Sequence, residues 1–267
     1  NVEADSLNAA VLGPDVADGS VSMGLFLKDV ARELTQKAGQ KCTAVRRILV
    51  PADRLAAARD QLIDRLEKVI TGNPADDSVR MGPLATAGQL DDAIAGAAEL
   101  MAEAATVHGT GGRIAGAGSP PGKGWFFGPT LLEAGDPMAV EAIHRREVFA
   151  PLATLLPYDG SATGAAGIVA LGSGTLVNSV YSDDRGWLDD YLAGAASSTG
   201  RIYLGSESSA GAAPGSGVAL PQTLHGGPGR AGGGEELGGA AGMRLYMQRL
   251  ALQGSRAMVD AVAGNTD

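Results

Sequence analysis

Apolar side chains at Val21, Leu25, Val30 and Leu34 recur at nearly helical spacing, which predicts a helix over residues 21–34. Residues 46–50 then read as a strand stopped by Pro51. Asp53 is placed as the cap of a second helix reaching residue 70, with Leu55, Leu62, Leu66 and Val69 on one face, until Gly72-Asn73-Pro74 stops it. A third helix over 86–105 leads to a short strand at 106–108, and the aperiodic stretch 109–124 is expected to be an exposed loop. Strands are expected at 125–127, 130–133 and 152–157, a helix at 165–171, a β-branched strand at 175–181, a helix at 184–195 and a strand at 201–204. Strand and helix alternate, so the fold class is α/β with a parallel sheet. Residues 206–242 are mostly Gly, Ala, Ser and Pro, with no helix or strand signal; a stretch that long is read as either functional or disordered. Residues 243–252 alternate enough to form a last strand, an ordinary edge strand on the plainest reading.

At 267 residues and 45% hydrophobic content, the chain can bury a real core in one large or two small domains. Its net charge of −9 argues against a nucleic-acid partner, because phosphate binding needs clustered Lys and Arg. No apolar run approaches the ~18 residues of a membrane-spanning helix, and the acidic start and polar stretch 19–27 do not make a signal peptide, so no membrane partner is expected. One cysteine allows no internal disulfide, and three scattered histidines give no metal-ligand spacing, so a reducing, cytoplasmic compartment and no metal are expected. The 40 glycines and 4% aromatics point to a loop-rich chain in which a single glycine carries little signal.

The one cysteine, Cys42, lies in Ala38-Gly39-Gln40-Lys41-Cys42-Thr43, between the first helix and the first strand. Lys37, Lys41, Arg46 and Arg47 are close in sequence, and nearby positive charge favours the thiolate, so Cys42 reads as a nucleophile. Gly39 allows positive φ or a close backbone approach. The competing reading is a buried cysteine acting as a small hydrophobe. His108, His144 and His225 read as surface or hydrogen-bonding residues, and no G-x-S-x-G occurs. Gly227-Pro228-Gly229-Arg230-Ala231-Gly232 spells G-x-G-x-x-G, but it follows no apolar strand and opens no helix, so it is not read as a dinucleotide site.

Residues 36–42 (QKAGQKC), followed by Ile48-Leu49-Val50-Pro51, resemble the nucleophile region of the aldehyde dehydrogenase superfamily. Other landmarks follow in the order of that family: Val2-Glu3-Ala4-Asp5-Ser6-Leu7-Asn8, Gly72-Asn73-Pro74 with Met81-Gly82-Pro83-Leu84, Phe127-Gly128-Pro129-Thr130-Leu131, and Glu147-Val148-Phe149-Ala150-Pro151. The Glu-Ala-Asp-Ser-Leu-Asn wording and the run from Leu224 through Gly239, with Tyr246-Met247-Gln248-Arg249, look most like the PaaZ-type branch, which acts on CoA-thioester semialdehydes in aerobic breakdown of phenylacetate and benzoate. The resemblance implies that Cys42 attacks an aldehyde and that Glu3 is the base that activates water. It also implies that Glu147 and Phe149 hold the ribose and nicotinamide of NAD or NADP, with Ala150 standing where the family commonly has glycine.

The same resemblance implies an aldehyde dehydrogenase catalytic domain over residues 1–240, with 206–242 passing the substrate entrance, and a terminal strand and tail over 243–267 that pairs subunits of a homo-oligomer. Family members carry the nucleotide-binding sheet and an oxyanion-holding asparagine in a first half without counterpart here. The chain is therefore expected to be a C-terminal fragment or truncated product, inactive alone as a dehydrogenase. A non-catalytic oligomerisation or interaction module is the rival reading.

Overall fold

Successive residues of each central strand feed opposite cores, and this alternation sets the layers of the molecule. The computed structural model describes residues 2–220, 223–233, 235–237, 242–248 and 250–264. Strands β1 (Ala9–Leu12), β2 (Arg47–Pro51), β3 (Ala105–His108), β4 (Thr130–Glu133), β5 (Leu152–Tyr158), β6 (Thr175–Tyr181) and β7 (Thr199–Gly205) form one sheet in the order β3-β4-β5-β2-β1-β6-β7. Every neighbouring pair is parallel except β3 with β4.

Helices cover both faces, as buried parallel strands require. On one side α1 (Val21–Thr35) and α2 (Leu55–Leu66) pack Phe26, Leu34, Leu62 and Leu66 into a core with Ala10, Leu12, Ile48 and Val50. On the other, α3 (Ala87–Met101), α4 (Ala142–Arg145), α5 (Ala162–Ala170) and α6 (Arg185–Ala195) join Leu90, Ala97, Ile143, Ile168 and Tyr191 to Val11, Leu49 and Val180. Each fully buried aliphatic side chain contributes about 1.5–3 kcal/mol. Ser20, Thr86, Ser161 and Asp184 accept bonds from Met23, Gln89, Gly164 and Gly186 N–H groups, so these caps start α1, α3, α5 and α6.

Several expected elements differ. Asp53 does not cap a helix: residues Ala52–Arg54 form a 3-10 turn, and α2 starts at Leu55 and ends at Leu66. Residues 125–127 form no strand; Phe127 makes only an isolated bridge to Arg113. β1 carried no sequence signal because it opens on two alanines, which are weak strand formers, and α4 is a single turn of four residues. Within 206–242, β8 (Leu224–Gly226) and β9 (Glu235–Leu237) pair antiparallel, and two 3-10 turns occur. The expected terminal strand begins instead with a 3-10 turn at Met243–Tyr246, and no strand is assigned to the described residues beyond it; a strand needs a ladder partner, and none lies alongside among the described residues. α7 (Arg256–Ala263) ends the described chain.

Arg47, the first residue of β2, is fully buried, with no carboxylate paired to it among the described residues. Its guanidinium donates to the carbonyls of Leu7, Ile168 and Val169 at 2.8–3.1 Å, and lies 3.1 Å from His144 Nδ1. Burial pulls its pKa down to about 10, which leaves it charged at neutral pH. His144 Nε2 is 2.7 Å from the Pro137 carbonyl, so the neutral imidazole donates there and accepts from Arg47. Arg47 thus ties the lead-in to β1 onto the end of α5. Arg47→Met should lower stability by about 3 kcal/mol or more, because the three carbonyls have no substitute donor. An unchanged urea midpoint would contradict this.

Candidate functional site

The segments preceding β1, β2, β5 and β6 converge at the amino ends of these strands, and Cys42 sits among them. α1 delivers the chain into a turn in which Lys37, Ala38 and Gly39 all have φ between 53 and 69°. For Lys37 and Ala38 this left-handed backbone costs about 1–2 kcal/mol each. The turn is held from outside: Arg46 donates through Nη2 to the Gly39 carbonyl at 2.9 Å and through Nη1 to the Ala150 carbonyl at 2.8 Å. A Cβ on Gly39 would come within 2.4 Å of Ala150 backbone atoms, so the close approach requires glycine. Beyond the turn, buried Asn8 donates from Nδ2 to the carbonyls of Cys42 and Ala44 at 2.7 and 2.9 Å, while its Oδ1 accepts from Ser6 Oγ and the Val177 N–H. The thiol is left exposed.

The charges around that thiol are not the ones its sequence neighbours imply. Lys41 Nζ lies 2.6 Å from Glu33 Oε2 and donates to Gln36. Arg46 is spent on Gly39, Ala150 and Glu147, and Arg47 is committed to the far core. In their place stand two groups from distant sequence. His225 Nε2, on β8, is 3.6 Å from Cys42 Sγ. Half-buried Arg201, on β7, faces the charges of Glu33 and Cys42, with burial the main cause of its lowered pKa.

Glu3 also reaches the sulfur. One carboxylate oxygen of Glu3, Cys42 Sγ and a ring nitrogen of His225 all lie within 4.8 Å of one another. Glu3 and Cys42 are exposed, whereas His225 is only 7% exposed. The Gly-rich segment 226–233 positions both partners. Arg230 grips Asp5 with a two-pronged ion pair at 2.5–2.6 Å and donates to the Arg145 carbonyl at 2.6 Å. Gly232, at φ +99°, lies where a Cβ would meet the Val2 carbonyl, so the start of the chain packs flat against it. His225, read from sequence as a surface or hydrogen-bonding residue, is a buried one against Cys42, and Arg201 carried no role there; the available signal for His225 was its place directly before a glycine run that needs close backbone contact.

Glu147 and Phe149 precede β5. Glu147 Oε1 accepts from Arg46 Nε at 3.2 Å and Oε2 from the Ser6 N–H at 3.1 Å. Burial raises the Glu147 pKa, and the Arg46 charge opposes the rise. Each oxygen keeps a second lone pair, so the carboxylate can still accept a ligand hydroxyl. Phe149 is 36% exposed, with the Arg46 guanidinium 5.5 Å from its ring centre. The site residues expected from sequence therefore form two groups, Glu3 with Cys42 and Glu147 with Phe149, joined through Arg46. His144 is a buried hydrogen-bonding residue and His108 a half-buried strand residue.

The pattern that defines the Aldehyde dehydrogenase family matches residues 16–249. A 3,4-dehydroadipyl-CoA semialdehyde dehydrogenase of Aromatoleum evansii is 39% identical over 228 residues, which cover 85% of this chain and 44% of that protein. Protein MaoC of Klebsiella aerogenes is 42% identical over 139 residues, covering 52% of this chain and 41% of its own length. Among solved structures, betaine aldehyde dehydrogenase of Staphylococcus aureus superposes with a TM-score of 0.76 at 24% identity, covering 91% of this chain and 45% of that one. Lactaldehyde dehydrogenase of Escherichia coli gives 0.74 at 22%, covering 92% and 46%. The chain spans less than half the length of these relatives.

Gly39→Ala should cost more than about 1 kcal/mol, since the new methyl meets the Ala150 backbone at a positive φ. Chemical denaturation with Cys42 alkylation as a second probe checks it; wild-type stability would show that the approach is looser than described.

Proposed function

The chain belongs to the aldehyde dehydrogenase family, and from that premise we propose that it is the catalytic half of an NAD(P)-dependent dehydrogenase whose substrate is a semialdehyde carried as a CoA thioester. The observation that carries this reading is the meeting of an exposed thiol and an exposed carboxylate, Cys42 and Glu3, within 4.8 Å. The relative named as a CoA semialdehyde dehydrogenase supports the substrate class.

Cys42 acts as a thiolate and attacks the aldehyde carbon; the carbonyl π electrons move to oxygen, giving a thiohemiacetal. The backbone N–H of Cys42 holds part of the developing oxyanion. Phe149 offers an exposed ring and Glu147 spare lone pairs, which fit the nicotinamide and ribose of NAD or NADP. When bound, that group supplies the hydride acceptor. Glu3 serves the thioester state of Cys42, holding a water molecule and taking its proton so that the acid is released. His225, against the sulfur, fixes its direction.

Domain 1–240 carries this chemistry in the cytoplasm, and segment 243–267 makes subunit contacts in a homo-oligomer. Exposed Met243, Tyr246, Met247, Leu250 and Leu252 support the second part of that reading. The chain alone is expected to give negligible NAD(P)H with a semialdehyde, since it spans less than half the length of its dehydrogenase relatives.

The chemistry of Cys42 is testable without that half. An activated ester should acylate wild-type chain faster than a simple thiol at the same pH, and Cys42→Ala should abolish the reaction. Glu3→Gln should still acylate but release the acyl group roughly 100-fold or more slowly, so that the adduct accumulates in the intact-mass spectrum. Equal deacylation in both proteins would remove Glu3 from the mechanism, and acylation at an ordinary thiol rate would remove Cys42.

A further inference from the structure

We propose that Cys42, His225 and Glu3 together bind one zinc ion. Their donor atoms, a sulfur, an imidazole nitrogen and a carboxylate oxygen, all lie within 4.8 Å of one another. This mixed set suits Zn²⁺, whereas Mg²⁺ and Ca²⁺ select oxygen ligands. Spacing agrees as well. Tetrahedral zinc with Zn–S of about 2.3 Å and Zn–N of about 2.0 Å holds its sulfur and nitrogen roughly 3.5 Å apart. Cys42 Sγ and His225 Nε2 are separated by 3.6 Å.

His225 makes this more than a thiol beside an acid. The residue is more than nine-tenths buried and directs Nε2 at the sulfur, while Nδ1 has no hydrogen-bond partner among the described residues. Nothing therefore forces the proton onto Nε2, and with the proton on Nδ1 the nitrogen facing Cys42 presents its lone pair. A ligating histidine in a tight site usually donates its other N–H to a fixed acceptor. That support is missing here, and Arg201 adds a positive charge facing Cys42, so binding is weak and reversible.

Charge balances on binding. The Cys42 thiol gives its proton to solvent, and thiolate plus carboxylate neutralise Zn²⁺; water takes the fourth position. The sulfur lone pair needed for nucleophilic attack is then shared with the metal, so zinc switches the nucleophile off. That consequence rests on the dehydrogenase reading above; metal binding itself does not. Sequence separation hid the site, because Cys42 and His225 are 183 residues apart and form no ligand motif.

Titrating the phosphine-reduced chain with Co²⁺ tests the proposal without aldehyde or nucleotide. One Co²⁺ per chain should bind with a sulfur-to-cobalt charge-transfer band and the visible bands of tetrahedral cobalt, and Zn²⁺ should displace it. Cys42→Ala and His225→Gln should abolish the band. Glu3→Gln should weaken zinc binding by at least the roughly 10–100-fold that loss of an outer-shell partner costs. As an independent readout, Zn²⁺ should slow iodoacetamide alkylation of Cys42 in wild type but not in His225→Gln, with circular dichroism verifying that the variant is folded. Absence of the charge-transfer band, or a band and zinc protection that persist in His225→Gln, would overturn the site. The acylation results stand or fall separately, since no metal enters that assay.

Discussion

One buried guanidinium holds the candidate site in register. Arg46 reaches the turn before Cys42 at Gly39, the turn before β5 at Ala150, the carboxylate of Glu147 and the ring of Phe149. Burial alone lowers its pKa, and Glu147 offsets part of that penalty. A buried ion pair seldom adds much net stability, yet breaking one by removing a partner costs about 3–5 kcal/mol. Its value here is geometric, because the planar fork binds two carbonyls and a carboxylate at fixed angles. The left-handed backbone at Lys37 and Ala38 persists because this fork and the Gly39–Ala150 contact leave the chain no alternative path.

Adjacent residues at the start of β2 divide the work. Side chains alternate along β2 and its lead-in, so Arg46 is drawn toward the reactive turn while Arg47 is drawn into the core against Leu7, Ile168 and Val169. Leu7 leads directly to Asn8, which carries the Cys42 carbonyl, and Asn8 is joined through Ser6 to Glu147. The thiol thus stands on a network of buried polar groups rooted in the sheet. Open α/β sheets usually bind ligands beyond the carboxyl ends of their strands. Here the candidate site residues gather at the amino ends, and the Gly-rich segment 226–233 packs against the entry to β6 and the start of the chain by backbone contacts that side chains would block.

Much of the sheet was legible because buried parallel strands show as short β-branched or aliphatic runs between helical patterns; 130–133 and 175–181 coincide with β4 and β6. β1 was silent because Ala-Ala-Val-Leu opens on two weak strand formers, and α2 was overextended at its start because Asp53 looks like a cap in sequence but enters a 3-10 turn. In the site, proximity in sequence misled. Lys41 and Arg47 stand near Cys42 along the chain but bond to Glu33 and to the core, while His225 and Arg201 arrive through β8 and β7. The meeting of Glu3 with Cys42 came from resemblance, since no local pattern links residues 39 positions apart.

The Arg46 fork fixes the path of the turn before Cys42, and the acylation rate of Arg46→Lys reads that role. Lysine keeps the charge but can reach only some of the four groups that Arg46 joins. Arg46→Lys should melt cooperatively, with Cys42 acylation slowed roughly tenfold or more by a misplaced turn. A folded Arg46→Lys protein that acylates at the wild-type rate would contradict it.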